Sequence, residues 1–94
     1  MNKERRNNIK FIIRSLEGIA GMLDELRDRF NDVKDEEAEA LDNVPENLQN
    51  TARYNACEEL ISLLEDKVDI FDNLINDIDD LVYDLEEMLE YVPS

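Results

Sequence analysis

The apolar residues in the second half of the chain recur at alternating steps of three and four, from Tyr54 to Val92. This 3.5-residue period is typical of a helix that packs along its whole length against another helix. No glycine or proline interrupts the pattern before Pro93, so we predict a helix at about residues 51–91. Its apolar positions are Tyr54, Cys57, Ile61, Leu64, Val68, Phe71, Ile75, Ile78, Val82, Leu85, Leu89 and Val92.

The first half of the chain shows the same period and predicts a helix at about residues 3–41. Gly18 and Gly21 are its weak points, because interior glycine costs about 1 kcal/mol relative to alanine. Small residues there would also allow a neighbouring helix to approach closely. The predicted apolar seam is Ile9, Ile12, Leu16, Ile19, Leu23, Leu26, Phe30 and Val33, and Ile13, Ala20 and Met22 widen it.

Residues 42–50 form the predicted connector, because Pro45 disfavours helix at the residue before it. Thr51 or Asn50 is expected to cap the second helix. Folding the chain back at this point pairs the two seams without a slip, with Phe30 opposite Leu64. At 94 residues the chain is a single domain. We predict an all-α fold, a long antiparallel helical hairpin.

The apolar face of the second helix is wider than a two-stranded seam requires, and this extra width predicts a further partner. Three apolar positions per heptad suit a bundle, and a hairpin this small buries little surface alone. We expect a homodimer that forms a four-helix bundle. The alternative is that the same residues bind a different protein. The dimer or bundle residues are predicted to be Leu60, Leu74, Leu81 and Met88.

Acidic residues outnumber basic ones by 25 to 10, which gives a formal charge of −15. On the second helix the position after the seam is acidic in five successive heptads. Lysine is nearly absent there, although mixed charges would stabilise the helix better. Such a surface repels nucleic acid and anionic membranes and attracts basic proteins. The predicted partner-binding residues are Asp35, Glu36, Glu39, Asp42, Glu46, Glu58, Glu59, Glu65, Asp66, Asp69, Asp72, Asp77, Asp79 and Asp80.

Two hypotheses explain this acidic surface. A rigid helix with carboxylates about 5–6 Å apart approximates the charge line of a nucleic-acid backbone. It would then occupy the basic channel of a DNA- or RNA-binding protein. Alternatively, the charge only keeps an apolar hairpin soluble.

The chain lacks the usual chemistry of enzymes, and we predict that it is not one. It has no histidine, no glycine-rich phosphate loop and no calcium-binding loop, so no cofactor or metal is expected. Cys57, the single cysteine, lies on the seam and suits a reducing cytoplasm. The short apolar run near the N-terminus predicts neither a signal peptide nor a membrane span.

The connector sequence Asp42-Asn43-Val44-Pro45-Glu46-Asn47-Leu48-Gln49, preceded by Asp35-Glu36-Glu37, carries a resemblance. It resembles small acidic helical-hairpin proteins of bacterial prophages and mobile elements, which share a DN(L/V)PENLQ tip. This resemblance implies that the chain is a phage-type inhibitor in the bacterial host cytoplasm, such as an anti-CRISPR or other anti-defence protein. Its partner would be a basic nucleic-acid-binding protein, for example a defence nuclease.

Two other functions are weighed against this one. The first is a structural or adaptor module that works through the apolar strip. The second, more remote, is a MazG-like nucleotide pyrophosphatase, a class that binds magnesium through glutamates on facing helices. Glu36, Glu37, Glu58 and Glu59 invite this comparison, but they do not reproduce the motifs of that class in order.

Overall fold

The computed structural model describes residues 2–91 and shows two long helices joined by a short connector. Helix α1 spans Lys3–Asp42 and helix α2 spans Ala52–Tyr91, with a 3₁₀ turn, η1, at Glu46–Leu48 between them. The described residues contain no strand. The predicted all-helical hairpin is therefore confirmed, and its helix ends lie within one residue of the predicted ones. Val92 and Pro93, predicted as the end of the seam and the helix stop, lie outside the described residues.

Both helices begin at a polar cap. The backbone N–H of Arg5 donates to Asn2 Oδ1 at 2.9 Å, which satisfies one of the free N–H groups at the start of α1. At the start of α2, the N–H of Tyr54 donates to Thr51 Oγ1 at 3.2 Å. Of the two predicted caps for α2, Thr51 is thus the correct one.

The hairpin is a thin rod. Its extents are 71 × 15 × 14 Å and its radius of gyration is 21.1 Å, whereas a compact domain of this length has about 12 Å. Its accessible surface is 7182 Å², against about 5,600 Å² expected for a folded monomer of 11.0 kDa. Among the described residues, only Ile13 is fully buried. The two helices alone therefore enclose almost no core.

The predicted seam of α2 is confirmed along its described length. Every predicted seam position from Tyr54 to Leu89 is partly buried, whereas the other residues of α2, apart from Asp72, are exposed. Each such residue therefore faces α1. The long 3.5-residue period identified this face without ambiguity.

The predicted seam of α1 is half wrong. Ile13 is 7% exposed, whereas Ile12 is 46% exposed. Helix α1 is therefore rotated about its axis by about 50° from the predicted orientation, half the angle between successive residues. Ala20 likewise replaces Ile19 in the interface, and Arg27 replaces Leu26. The observed α1 seam is Ile9, Ile13, Leu16, Ala20, Leu23, Arg27, Phe30, Lys34, Glu37 and Leu41.

The rotation has a physical reason in Arg27 and Lys34. Long basic side chains can pack their aliphatic stems in an interface while their charged ends reach water or an acid. Arg27 does this, since its guanidinium lies 2.9 Å from Asp72 of α2. The apolar residues next to these two, Leu26 and Val33, are left on the outside.

The pairing of the helices also differs from the predicted one. The rings of Phe30 and Phe71 are in contact, with centroids 5.6 Å apart, whereas Phe30 was predicted to lie opposite Leu64. The ion pair between Arg27 and Asp72 lies at the same level. Together these contacts join α2 residues to α1 residues about five to seven positions later than predicted, a shift of about 8–10 Å along the rod.

Gly18 and Gly21 lie on the outer surface of α1. A Cβ atom built on either residue meets no atom within 4 Å. Within the hairpin, therefore, neither glycine serves a close approach of α2, and that expectation was wrong.

Candidate protein-binding surfaces

The carboxylates that we call the acidic stripe follow one flank of α2. Most of them directly follow a seam residue or lie one position further round, as Glu65 and Asp66 follow Leu64. Within residues 2–91, none of them except Asp72 has an ion pair, and all except Asp72 are exposed. The acidic stripe consists of Glu58, Glu59, Glu65, Asp66, Asp69, Asp72, Asp79 and Asp80.

Arg27 of α1 forms an ion pair with one carboxylate in the middle of this stripe. Its guanidinium contacts Asp24 at 2.6 Å, Asp28 at 3.2 Å and Asp72 at 2.9 Å. Its hydrogen bonds to Asp72 and Asp28 raise the pKa of the Arg27 guanidinium above its ordinary value. One of the predicted partner-binding residues, Asp72, is therefore already bound within the chain. The stripe therefore has one paired carboxylate near its centre, although three acids around a single guanidinium still leave a net negative charge there.

Asp77 was predicted to belong to this surface, but the helix places it elsewhere. It follows Leu74 by three residues and precedes Leu81 by four, so it shares their face of α2. It is exposed and lies beside an apolar row, on the side away from Asp72.

The remaining predicted acids surround the connector, and we call them the acidic tip. Asp35 lies 3.5 Å from Nζ of the neighbouring Lys34, and because its carboxylate is exposed this contact contributes little. The other members have no ion pair within the described residues. The acidic tip consists of Asp35, Glu36, Glu39, Asp42 and Glu46, all of them exposed.

A cavity of about 590 Å³ lies between the helices at this end. Leu41, Val44 and Leu48 form an apolar wall, while Glu37 and Cys57 contribute the polar atoms and the thiol. Val44 accepts a hydrogen bond from Gln49 Nε2 at 3.3 Å, which holds the connector over the cavity. Cys57 is half-buried here, in the seam where it was predicted.

Two rows of exposed apolar residues lie outside the seam, and their side chains are 44 to 48% exposed. On each helix the row immediately precedes a seam position, as Ile12 precedes Ile13 and Leu74 precedes Ile75. The α1 outer row is Ile12, Ile19, Leu26 and Val33. The α2 outer row is the predicted bundle set of Leu60, Leu74, Leu81 and Met88.

Both outer rows lie on the same edge of the hairpin. Equivalent flanks of two antiparallel helices meet on one edge, because a two-fold axis perpendicular to the helices relates them. A groove lined by Leu26, Phe30, Val33 and Leu64 joins the α1 outer row to the seam of α2 on this edge. The Arg27–Asp72 ion pair lies across the other edge. The hairpin is therefore apolar along one edge and acidic along the other.

The α1 outer row was missed as a surface because its residues were assigned to the seam. The sequence does contain a signal for the correct assignment. Arg27 and Lys34 are spaced by seven and fall one position after Leu26 and Val33, next to the acidic flank of α2. From a seam position a long basic side chain can reach that flank, as Arg27 does.

The described residues offer no metal site and no membrane span. Within residues 2–91 there is no group of three or more histidine, cysteine, aspartate or glutamate residues that could hold a metal ion. Neither helix, in its described part, has a stretch long and apolar enough to cross a membrane.

Comparisons of the chain with protein-family models, with curated proteins and with solved structures found no match.

Proposed function

We propose that this protein is a non-catalytic binding protein that docks its acidic stripe and acidic tip on the basic surface of a nucleic-acid-binding protein. In this proposal it acts as a phage-type inhibitor, of the anti-CRISPR or another anti-defence kind, in the cytoplasm of a bacterial host. It mimics the charge of nucleic acid and does not itself bind nucleic acid.

The observation that supports this proposal is the separation of charge and apolar surface onto opposite edges of a rigid rod. Seven of the eight stripe carboxylates are exposed without an ion pair in the described residues, although ten basic residues are present in the chain. The basic residues of α1 that form ion pairs, such as Arg27 and Arg29, contact mostly acids of their own helix. The acids of α2 are thus left available to a basic partner.

The proposal also includes a homodimer in which two hairpins form a four-helix bundle. A dimer would cover the α2 outer row and leave both acidic stripes on the outside. The surface of the hairpin exceeds that of a compact monomer by about 1,600 Å², and a standard interface needs only about 800 Å² from each partner.

The test is capture of proteins from a bacterial lysate on the immobilised full chain, with duplex DNA as a competitor. We expect basic nucleic-acid-binding proteins that duplex DNA releases. Binding should weaken steeply when salt is raised from about 0.1 M to about 0.5 M, because exposed charges are then screened. Retained proteins that duplex DNA fails to release would contradict the proposal.

A matched pair of charge-reversal variants makes this test specific. Asp66→Lys with Asp69→Lys should abolish capture, since both acids are exposed and unpaired within the described residues. Glu4→Lys with Asp32→Lys changes the net charge equally on the surface of α1 and should leave capture intact. Asp72 is left unchanged, because its reversal would place a lysine against Arg27.

The second candidate is a structural or adaptor module, and the half-exposed outer rows favour it. Its apolar edge would then bind a different protein. In that case Leu74→Glu and Leu81→Glu should remove partner binding, and salt should matter little. Loss of binding in the Asp66 and Asp69 variant, with binding retained in the Leu74 variant, would exclude this candidate.

A further inference from the structure

We infer that a second copy of this chain covers the apolar edge with its own, using both outer rows, and that the two hairpins run tip to tail. In this arrangement α1 lies over α1 of the second copy and α2 over α2, in opposite directions. The inference deepens the proposed homodimer and rests on it, and it adds α1 to the interface and fixes the orientation.

Both helices contribute equally to the apolar edge. The two outer rows have nearly the same exposure and the same spacing of seven residues, except that Lys67 stands between Leu60 and Leu74 on α2. Leu63 and Ile70 of α2 and Met22 of α1 are also exposed and lie beside these rows. A partner that contacted α2 alone would leave the α1 outer row in water.

The α2 outer row is symmetric about Leu74, which suits a two-fold axis. Leu60 and Met88 lie at equal distances before and after Leu74, and so do Lys67 and Leu81. A perpendicular two-fold axis near Leu74 therefore pairs Leu60 with Met88 of the second copy. Leu74 itself lies near the middle of α2, so the two rods overlap along almost their full length.

The α1 outer row lies near the same axis. Its four residues are centred on the middle of α1, between Ile19 and Leu26. The ion pair between Arg27 and Asp72 sets Leu74 about level with Glu25 of α1. The same axis therefore brings Leu26 to within about 3 Å, along the rod, of Leu26 of the second copy, and Ile19 equally close to Val33. Three of the four residues of the α1 outer row would then be covered by the operation that pairs the α2 rows, as a two-fold interface requires.

Lys67 favours one of the two possible orientations. It lies at the position between Leu60 and Leu74 in the line of the α2 outer row, it is exposed, and it has no ion pair within the described residues. In the tip-to-tail dimer Lys67 lies over Leu81 of the second copy. Asp77 and Asp84 flank Leu81 by one turn on either side of the same face, within reach of the Lys67 ammonium group.

The opposite orientation, tip to tip, places α2 over α1 of the second copy. Residues at the same distance from the tip then lie beside each other. The ion pair between Arg27 and Asp72 shows that Lys67 is then about level with Asp32, with Arg29 and Glu36 about one turn away on either side. Lys67 would there have acidic and basic neighbours together, instead of the two acids that flank Leu81. The acidic stripes do not decide the orientation, because they lie on the far edge, beyond the Debye length of about 8 Å at physiological salt.

The orientation can be measured by spin labelling. Asn55 is exposed near the tip, and Asn55→Cys in a Cys57→Ser chain gives one label in each copy. The tip-to-tail dimer predicts a label separation of about 57 Å along the rod, from 1.5 Å per residue on both sides of Leu74. The tip-to-tip dimer predicts about 20–30 Å, two to three helix diameters.

Charge reversal gives an independent test. Lys67→Glu should weaken the dimer about tenfold, and adding Asp77→Lys and Asp84→Lys should restore it. In the tip-to-tip dimer, where Lys67 has acidic and basic neighbours together, the same Lys67→Glu change would not weaken association in this way. Leu26→Glu on α1 should dissociate the dimer as Leu74→Glu does, whereas Phe11→Glu, at an exposed apolar residue off the edge, should not.

The mass from sedimentation separates the two ways in which this inference can fail. A dimer of twice 11.0 kDa with the short label distance overturns the orientation but leaves the proposed homodimer standing. A chain that stays monomeric overturns both, while the proposed docking of the acidic stripe is judged by its own salt and DNA tests. A dimer that survives Leu26→Glu overturns the contribution of α1.

Discussion

Neighbouring isoleucines on α1 give a direct test of which face of this helix packs against α2. Ile13 is 7% exposed and Ile12 is 46% exposed, yet they are the same residue type in the same helical turn. We predict that Ile13→Ala costs about 3 kcal/mol of unfolding free energy and Ile12→Ala about 1 kcal/mol. The change in helix propensity is the same at both positions and cancels in the comparison.

The two magnitudes follow from burial. The change to alanine removes three carbons, worth about 2.4 kcal/mol when fully buried at about 0.8 kcal/mol each. Ile13 loses nearly all of this and also leaves a cavity, which brings the cost to about 3 kcal/mol. Ile12 is half in water already, so it loses about half and leaves no enclosed cavity.

The assay is thermal and urea unfolding followed by the circular dichroism of the helices. A difference of about 2 kcal/mol corresponds to about 8–16 °C in Tm for a chain of this size. Measurements at about 1 µM and about 100 µM protein separate hairpin stability from association, since the cost of Ile12→Ala should grow where the dimer forms. Equal costs at low concentration, or a larger cost for Ile12→Ala, would show that the packed face of α1 is wrong.

Two further predictions concern the ends and the outer surface of the helices. Thr51→Ala should lower stability by about 1 kcal/mol because it removes the cap on the N–H of Tyr54, whereas Asn50→Ala should change it little; urea unfolding of both variants is the check. Gly18→Ala and Gly21→Ala should each raise stability by about 1 kcal/mol, since the added methyl groups meet open space. A loss of stability or of association in either glycine variant would indicate a contact there that the hairpin alone does not contain.

The seam of α2 was predictable because all the evidence for it lies in one uninterrupted pattern. Its positions are apolar throughout, so a single helical face satisfies the whole period from Tyr54 to Leu89. The seam of α1 was not, because α1 has two overlapping apolar faces. One contains Ile12 and Leu26, and the other contains Ile13 and Arg27. A pattern that counts only apolar residues prefers the first.

The candidate surfaces were predicted to a similar extent. The α2 outer row and most of the acidic stripe lie on the flanks that the sequence assigned to them, because both are read from the same helix phase as the seam. The partial neutralisation of the stripe was not predicted. It depends on Arg27 reaching across to Asp72, a contact between residues on different helices.

The sequence by itself determined two helices, where each begins and ends, and the turn that makes them antiparallel, since caps, proline and periodicity act within a few residues of one another. Only the tertiary structure decided how far α1 is rotated and how the helices are aligned, because these depend on whether the stem of Arg27 or the side chain of Leu26 fills the space beside α2. That choice leaves a second apolar row on the outside of α1 and, with it, a continuous apolar edge opposite the acidic one.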